Sequence, residues 1–393
     1  MRIVLTGGAT GGHVIPFEPI VDALRVVYAE QKESLPGWID ASRLDIYFLG
    51  VLTEPAARYF EQLGVKAIHI PSGKLRRYPS AQTVGDLLGR LPLGVLKALL
   101  QMWRIMPDAV ISKGGFGSLP TSVAAVFYRI PFLLHESDAV LGLANRVMAS
   151  WASVITVGYA DTRRTIQYYK NKTLVTGTPV RALPARPDPA AIKREYGLPD
   201  SKPMLLVIGG SQGAKQINDV VLQVLPSLVH DMAVIHVTGS EHEAAVKQRA
   251  TEVLKSAPAV QNYKVFGYLP RILPVMAAAD VVLSRAGATS LAELAHVRKA
   301  SIVVPLSGAA QDHQRHNAAV LEAAGAARVL DPDNLGRSLL EQSIRDILNH
   351  PEIRATLETN IALLDKPRAA RDIAELAFKL ARGFAPRQGA AKE

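Results

Sequence analysis

The chain has 393 residues, of which 48% are apolar and 20% charged, and it holds no cysteine. That length exceeds what one hydrophobic core usually organises, so two domains are expected. The composition excludes a disordered chain, and the missing thiols exclude disulfides, thiolate metal sites and cysteine nucleophiles.

Residues 2–6 form a β-branched apolar run with no secretory signal before it, and no run of about 18 uncharged apolar residues follows anywhere. A cytoplasmic protein is therefore expected. This first strand runs into TGGATGGH (6–13), just before a helix opening at Pro16. Glycines let a backbone approach a ligand closely, and a helix start offers free N–H groups to an anion. His13 stands at the mouth of the expected sheet, where ligands of parallel sheets bind; a capping or ribose-contacting histidine is the other reading.

Strand-like runs recur at 45–49 and 67–70. Between Lys66 and Arg104 lie seven basic residues against Asp86 alone, part of a formal charge of +10. Such a surplus attracts nucleic acid, anionic lipid or phosphorylated substrates. No aromatic-interleaved basic motif is present, so no nucleic-acid partner is expected. The stretch 85–106 carries more apolar residues than one buried stripe needs, among them Leu96, Leu100 and Trp103. Arg90, Lys97 and Arg104 punctuate it, and Lys74, Arg76 and Arg77 lie just upstream. It reads as a helix lying on an anionic membrane surface, or as a core helix with solvated charges.

The strand at 109–112 leads into KGGFGSLP (113–120), a turn able to cradle a diphosphate or simply to open a helix. The strand at 132–135 closes on HESD (135–138); four polar residues ending a buried run favour a position at a ligand-binding crevice. A strand at 154–157 ends the first series. Three prolines within 182–189 then mark a linker.

A second series of strands follows at 204–208, 234–238, 264–266, 281–284 and 301–305. Continuously apolar strands alternating with helices give doubly wound parallel sheets, here two Rossmann-like halves. The second half opens on GGSQGA (209–214). Ser211 and its neighbours fit a diphosphate at a helix start, and they also satisfy the GxSxG of a serine hydrolase, with Asp280 and His296 or His313 as partners. Glu293 lies one helical turn after SRAGATS (284–290), where it can accept from a ribose diol or stand as an ordinary surface glutamate. QDHQ (311–314) suits sugar hydroxyls or a helix cap. Asp331 and Asp333 form a DxD that reads better as helix entry than as a metal site, and no histidine pairing suits zinc.

Taken in order, GGATGGHVIP (7–16), GGFGSLP (114–120), HESDAVLGLANR (135–146), GTPVR (177–181), GGSQGAKQIN (209–218), SRAGATSLAEL (284–294) and QDHQRHNA (311–318) resemble the MurG family. These are UDP-N-acetylglucosamine:N-acetylmuramyl-(pentapeptide) pyrophosphoryl-undecaprenol N-acetylglucosaminyltransferases. The resemblance implies a GT-B fold, with two Rossmann-like domains facing across a cleft. It implies an acceptor domain over 1–181, a linker over 182–189, a UDP-N-acetylglucosamine domain over 190–366, and a helix returning to the first domain within 367–393.

It also implies inverting transfer from UDP-N-acetylglucosamine to polyprenyl-linked lipid I at the cytoplasmic membrane face. No cofactor and no obligatory metal are implied, and other cell-wall synthesis proteins are possible partners. Carried over by position, Glu293 binds the ribose, and Ser211 and Arg181 bind the diphosphate. Asn218, His313 and Gln314 line the donor sugar, which Asp138 reaches as well. The donor set takes in Thr10, Gly11, Gly12, Asn145, Gln212 and Gly213, while Gly114, Gly115, Phe116 and Ser118 serve the acceptor. The catalytic base is His13 or Glu136. Ala9, Phe116 and Thr178 depart from the family's usual glycine, tyrosine and asparagine. A related lipid glycosyltransferase, a UDP-sugar epimerase and a serine hydrolase are the rival readings.

Overall fold

The computed structural model describes residues 1–8, 14–73, 89–183, 185–210, 214–255, 259–306 and 312–383. The chain divides into two compact units, Met1–Arg181 with the chain from Lys366 onward, and Ala182–Asp365.

The first unit is built on a seven-stranded sheet. Its strands are β1 (Arg2–Thr6), β2 (Asp45–Gly50), β3 (Lys66–His69), β4 (Ala109–Ser112), β5 (Phe132–Glu136), β6 (Val154–Val157) and β7 (Thr173–Val175). All pair in parallel, in the order β3-β2-β1-β4-β5-β6-β7. Because side chains alternate across a strand, β1 feeds two cores at once. Ile3 and Leu5 join Phe17, Phe48 and Phe60 on one face, and Val4 joins Ala98, Met102 and Leu134 on the other. Stacking of Phe48 on Phe60, with centroids 4.2 Å apart, fills the first core. The helix Ala369–Ala381 closes that core, setting Phe378 against Tyr28 and pairing Arg371 with Glu30 at 2.6 Å.

The second core is covered by helices Leu91–Ile105, Leu119–Phe127 and Leu143–Ala149. The first of these buries only Gly94, Ala98, Met102 and Ile105. Gly94 lies so close to its neighbours that a Cβ there would sit 2.0 Å from the Pro71 carbonyl oxygen. Gly94 and Ala98 let the helix approach, and several of its bulky residues point outward: Leu93, Leu96, Leu100 and Trp103 are all exposed, as are Arg90, Lys97 and Arg104. No helix among the described residues is long and apolar enough to cross a membrane.

The second unit carries a six-stranded parallel sheet of β8 (Met204–Ile208), β9 (Ala233–Val237), β10 (Tyr263–Phe266), β11 (Val281–Arg285), β12 (Ser301–Val304) and β13 (Arg328–Val329). The order is β10-β9-β8-β11-β12-β13. Both sheets thus grow in one way: the first strand is central, two strands follow on one side, and the chain then crosses to the other. That is the doubly wound arrangement expected from the alternation of strands and helices. The sequence pattern missed β7 and β13, which at three and two residues are too short to show a period.

Candidate functional site

In such sheets ligands bind beyond the carboxyl ends of the strands, where the strand order reverses. These points lie between β1 and β4 in the first unit and between β8 and β11 in the second.

In the first unit the loops after β1 and β4 are pressed together. Lys113 donates its backbone N–H to the Thr6 carbonyl at 2.8 Å, and a Cβ on Gly117 would lie 2.7 Å from the Gly7 oxygen. Gly114 and Gly115 have φ of 76° and 77°, a left-handed conformation that favours glycine. Ser118 is buried and donates to the Gly115 carbonyl at 2.8 Å, which closes the turn. Phe116 packs against the second core and accepts from Ser72 Oγ through its carbonyl at 2.6 Å.

Lys113 is only 3% exposed and donates its ammonium to Ser137 Oγ. Burial pushes its pKa down to about 8, against the opposing charges of Glu136 and Asp138. The sequence motif contained Lys113 without giving it a role, although a lysine ending an apolar strand is the same signal that singled out HESD. His135 is fully buried, with Nδ1 2.9 Å from Thr156 Oγ1; burial, then the Lys113 charge, holds its pKa well below the usual imidazole value.

Glu136 is 6% exposed. Its Oε1 accepts from the Asp138 N–H at 3.0 Å, and its Oε2 from the Gly142 N–H at 2.9 Å and Asn145 Nδ2 at 2.7 Å. Burial first, then the Asp138 charge, raises its pKa to about 7, while the three donors pull the other way. Asn145 is buried on the helix Leu143–Ala149, its Oδ1 against Gly114. Arg181 lies 3.9 Å from Glu18, a carboxylate that also accepts from the Tyr59 hydroxyl.

In the second unit Gly210 follows β8 with φ of 83°, and among the described residues none but its chain neighbours comes within 4 Å of where a Cβ would be. Across the switch point, β11 ends on the buried Arg285, which donates to the Pro305 carbonyl at 2.9 Å and ties the ends of β11 and β12 together. Sequence reading did not nominate Arg285, yet a charged residue inside an apolar strand marks it. The helix Ala288–Val297 starts there and carries Glu293 on its buried side. Asn317 donates to the Ala286 carbonyl at 3.0 Å, bracing the same helix start.

His313 opens the helix His313–Ala323, and Gln314 accepts the Leu306 N–H at 2.9 Å. Asn218 is deeper than its expected role at the donor sugar suggests: Nδ2 donates to the Thr238 carbonyl at 3.2 Å, and Oδ1 meets His236 Nε2 at 2.9 Å. His236 also reaches the Tyr263 hydroxyl at 3.0 Å, and burial pushes its pKa down to about 3. Asp331 caps a short 3-10 turn, accepting the Asp333 N–H at 3.0 Å, and both carboxylates pair with Arg315.

Thr10, Gly11, Gly12 and His13 lie outside the described residues, as do Ser211, Gln212, Gly213 and Gln311, and Lys74, Arg76 and Arg77 of the basic stretch.

Comparison with known proteins matches the glycosyltransferase family 28 N-terminal domain over residues 40–157 and the C-terminal domain over residues 204–375. A UDP-N-acetylglucosamine--N-acetylmuramyl-(pentapeptide) pyrophosphoryl-undecaprenol N-acetylglucosamine transferase from Lachnospira eligens is 32% identical over 352 residues, covering 88% of this chain and 90% of that protein. The crystal structure of Acinetobacter baumannii MurG superposes with a TM-score of 0.69 at 22% identity, over 96% of this chain and 100% of that one. A UDP-GlcNAc 2-epimerase from Neisseria meningitidis, bound to UDP-GlcNAc, gives a TM-score of 0.62 at 14% identity over 95% of this chain and 99% of that one. At such identities the structural likenesses speak for a shared GT-B fold alone.

Proposed function

The chain belongs to the MurG family within glycosyltransferase family 28, and we propose that it transfers N-acetylglucosamine from UDP-N-acetylglucosamine to lipid I, forming lipid II. The observation that carries this is the 32% identity extending over 90% of a transferase of that name, both domains included.

In the proposed reaction the C4 hydroxyl of the muramyl sugar attacks the anomeric carbon. The new glycosidic C–O bond forms on the face opposite the breaking bond to phosphate, so the configuration inverts. UDP departs with the electron pair of that bond, and a base takes the hydroxyl proton. Glu293, on the buried side of the helix after β11, accepts from the ribose diol. Arg181 and the loop of Ser211, Gln212 and Gly213 meet the diphosphate charge, so the step calls for no metal. His313, Gln314 and Asp138 serve the donor sugar, while Asn218, its amide engaged by His236 and the Thr238 carbonyl, supports the helix that carries it. The loop of Gly114, Gly115, Phe116 and Ser118 faces the acceptor, and His13 and Glu136 are the two candidates for the base.

The exposed apolar side of Leu91–Ile105, with Lys97 and Arg104, supports peripheral attachment to an anionic leaflet, where the acceptor's polyprenyl chain resides. The cytoplasmic face is the side where a nucleotide sugar is supplied. UDP release, followed with a series of UDP-sugars and a short-chain lipid I analogue, tests the assignment. Release that requires both the analogue and the N-acetylglucosamine donor is expected; release without acceptor, or equal use of every UDP-sugar, would overturn it.

A further inference from the structure

Glu136 ends β5, the strand beside β4 in the first sheet, and its surroundings bear on the two roles open to it. A general base must offer a lone pair to the attacking hydroxyl. Oε2 has both of its lone-pair directions taken, by the Gly142 N–H at 2.9 Å and Asn145 Nδ2 at 2.7 Å. Oε1 accepts from the Asp138 N–H at 3.0 Å and keeps one lone pair, but with the residue only 6% exposed that lone pair offers a substrate hydroxyl little access. Taking a substrate proton on Oε2 would leave a buried N–H without its acceptor.

The same three bonds reach outward to two loops. Through the Asp138 and Gly142 amides the carboxylate shapes the turn after β5, whose Ala139 and Leu141 are anchored in the core. Through Asn145 it reaches the loop after β4. Asn145 Nδ2 is spent on Glu136, which holds the whole amide against Gly114, where a Cβ would lie 2.0 Å from Oδ1 and 2.4 Å from Nδ2. Oδ1 is buried and has no hydrogen-bond partner among the described residues, so its position is dictated by the amide's other end. Lys113 ties the two loops a second time, donating to Ser137 Oγ.

We infer that Glu136 is a positioning residue: its carboxylate fixes the Asn145 amide and the Asp138 backbone, and thereby the Gly114–Gly115 turn, instead of accepting the substrate proton. The inference rests on the transferase reading for its kinetic consequence and on geometry alone for its structural one.

Two measurements on Glu136→Gln and Glu136→Ala test it. Glutamine keeps one oxygen for the Gly142 and Asn145 donors and loses only the Asp138 bond. Positioning therefore predicts that Glu136→Gln lowers kcat/KM for the acceptor by about tenfold or less. Its kcat retains the acid limb of the pH profile, while Glu136→Ala raises the acceptor KM much further. A base at this position predicts instead that both variants lose about 10²- to 10⁴-fold in kcat and that the acid limb disappears; that result would overturn the inference. Independently of activity, the backbone amides of Asp138 and Gly142 should exchange with deuterium faster in Glu136→Ala than in the wild type, and at intermediate rates in Glu136→Gln. Unchanged exchange in both variants would show that the carboxylate organises nothing. Should the wild type transfer no sugar, the transferase reading fails while the exchange result still decides the clamp.

Discussion

Asn145 and Gly114 are in such close contact that a Cβ on Gly114 would lie 2.0 Å from Asn145 Oδ1 and 2.5 Å from its Cγ. Asn145 cannot swing away without abandoning Glu136, and Gly114 also has φ of 76°. Gly114→Ala therefore combines backbone strain with an overlap that nothing relieves. A loss of roughly 2–4 kcal/mol is expected, read as a lower denaturation midpoint at an unchanged m-value. A midpoint within error of the wild type would mean that the loop after β4 is free to move.

If Glu293 accepts from the ribose as proposed, Glu293→Ala removes a charge-assisted hydrogen bond worth about 1.5–3 kcal/mol, and UDP affinity should fall by about ten- to a hundredfold. Titration calorimetry reads this directly. An unchanged dissociation constant would remove the helix Ala288–Val297 from the nucleotide site.

Stability should depend on pH through Glu136 with an unusual sign. Burial and the Asp138 charge raise its pKa from 4.5 to about 7. Within that window the folded protein keeps a proton that the unfolded chain has released, so this group's contribution to stability falls as pH rises. Lys113, pushed from 10.5 down to about 8, acts oppositely at higher pH: the unfolded chain holds the proton there, and stability rises with pH. The stability of the wild type relative to Glu136→Gln should thus decline from about pH 5 to about pH 7 in denaturant melts. A flat difference would show that the carboxylate is ionised throughout.

Membrane attachment should respond to charge and to apolar area separately. Reversing Lys97 and Arg104, or Lys74, Arg76 and Arg77 upstream, should weaken binding to anionic vesicles by about 1 kcal/mol per residue and leave neutral vesicles little affected. Trp103→Ala should weaken both. Vesicle sedimentation at low and high salt measures the two contributions, and equal binding by all variants would exclude the helix Leu91–Ile105 as the docking face.

Much of the fold was legible because continuously apolar runs such as those of β4 and β8 have few alternatives to a doubly covered parallel strand. Helix Leu91–Ile105 shows where the pattern stops informing. Its leucines look like core, yet Leu93, Leu96 and Leu100 are exposed while Gly94, Ala98, Met102 and Ile105 are buried, and close approach to Pro71 requires a glycine at 94. At the site, the glycine loops announced themselves by composition. The link from Glu136 through Asn145 to Gly114 did not, because it joins residues 9 and 31 positions apart that only the neighbouring β4 and β5 bring together. Asn218 shows what a family position leaves out: the resemblance implies a sugar contact, and only the structure reveals that His236 and the Thr238 carbonyl engage the same amide. Arg285 and Lys113 were missed for one shared reason: a charge ending an apolar strand marks the position, but in one dimension it does not say whether the charge is covered.

The identity of the product tests the central claim most directly. The purified chain, incubated with UDP-N-acetylglucosamine and a short-chain lipid I analogue, should yield UDP and a product heavier than the acceptor by one N-acetylhexosamine residue, with a β-1,4 linkage by nuclear magnetic resonance. An unmodified acceptor accompanied by a donor epimerised at C2, or by a donor merely hydrolysed, would contradict it.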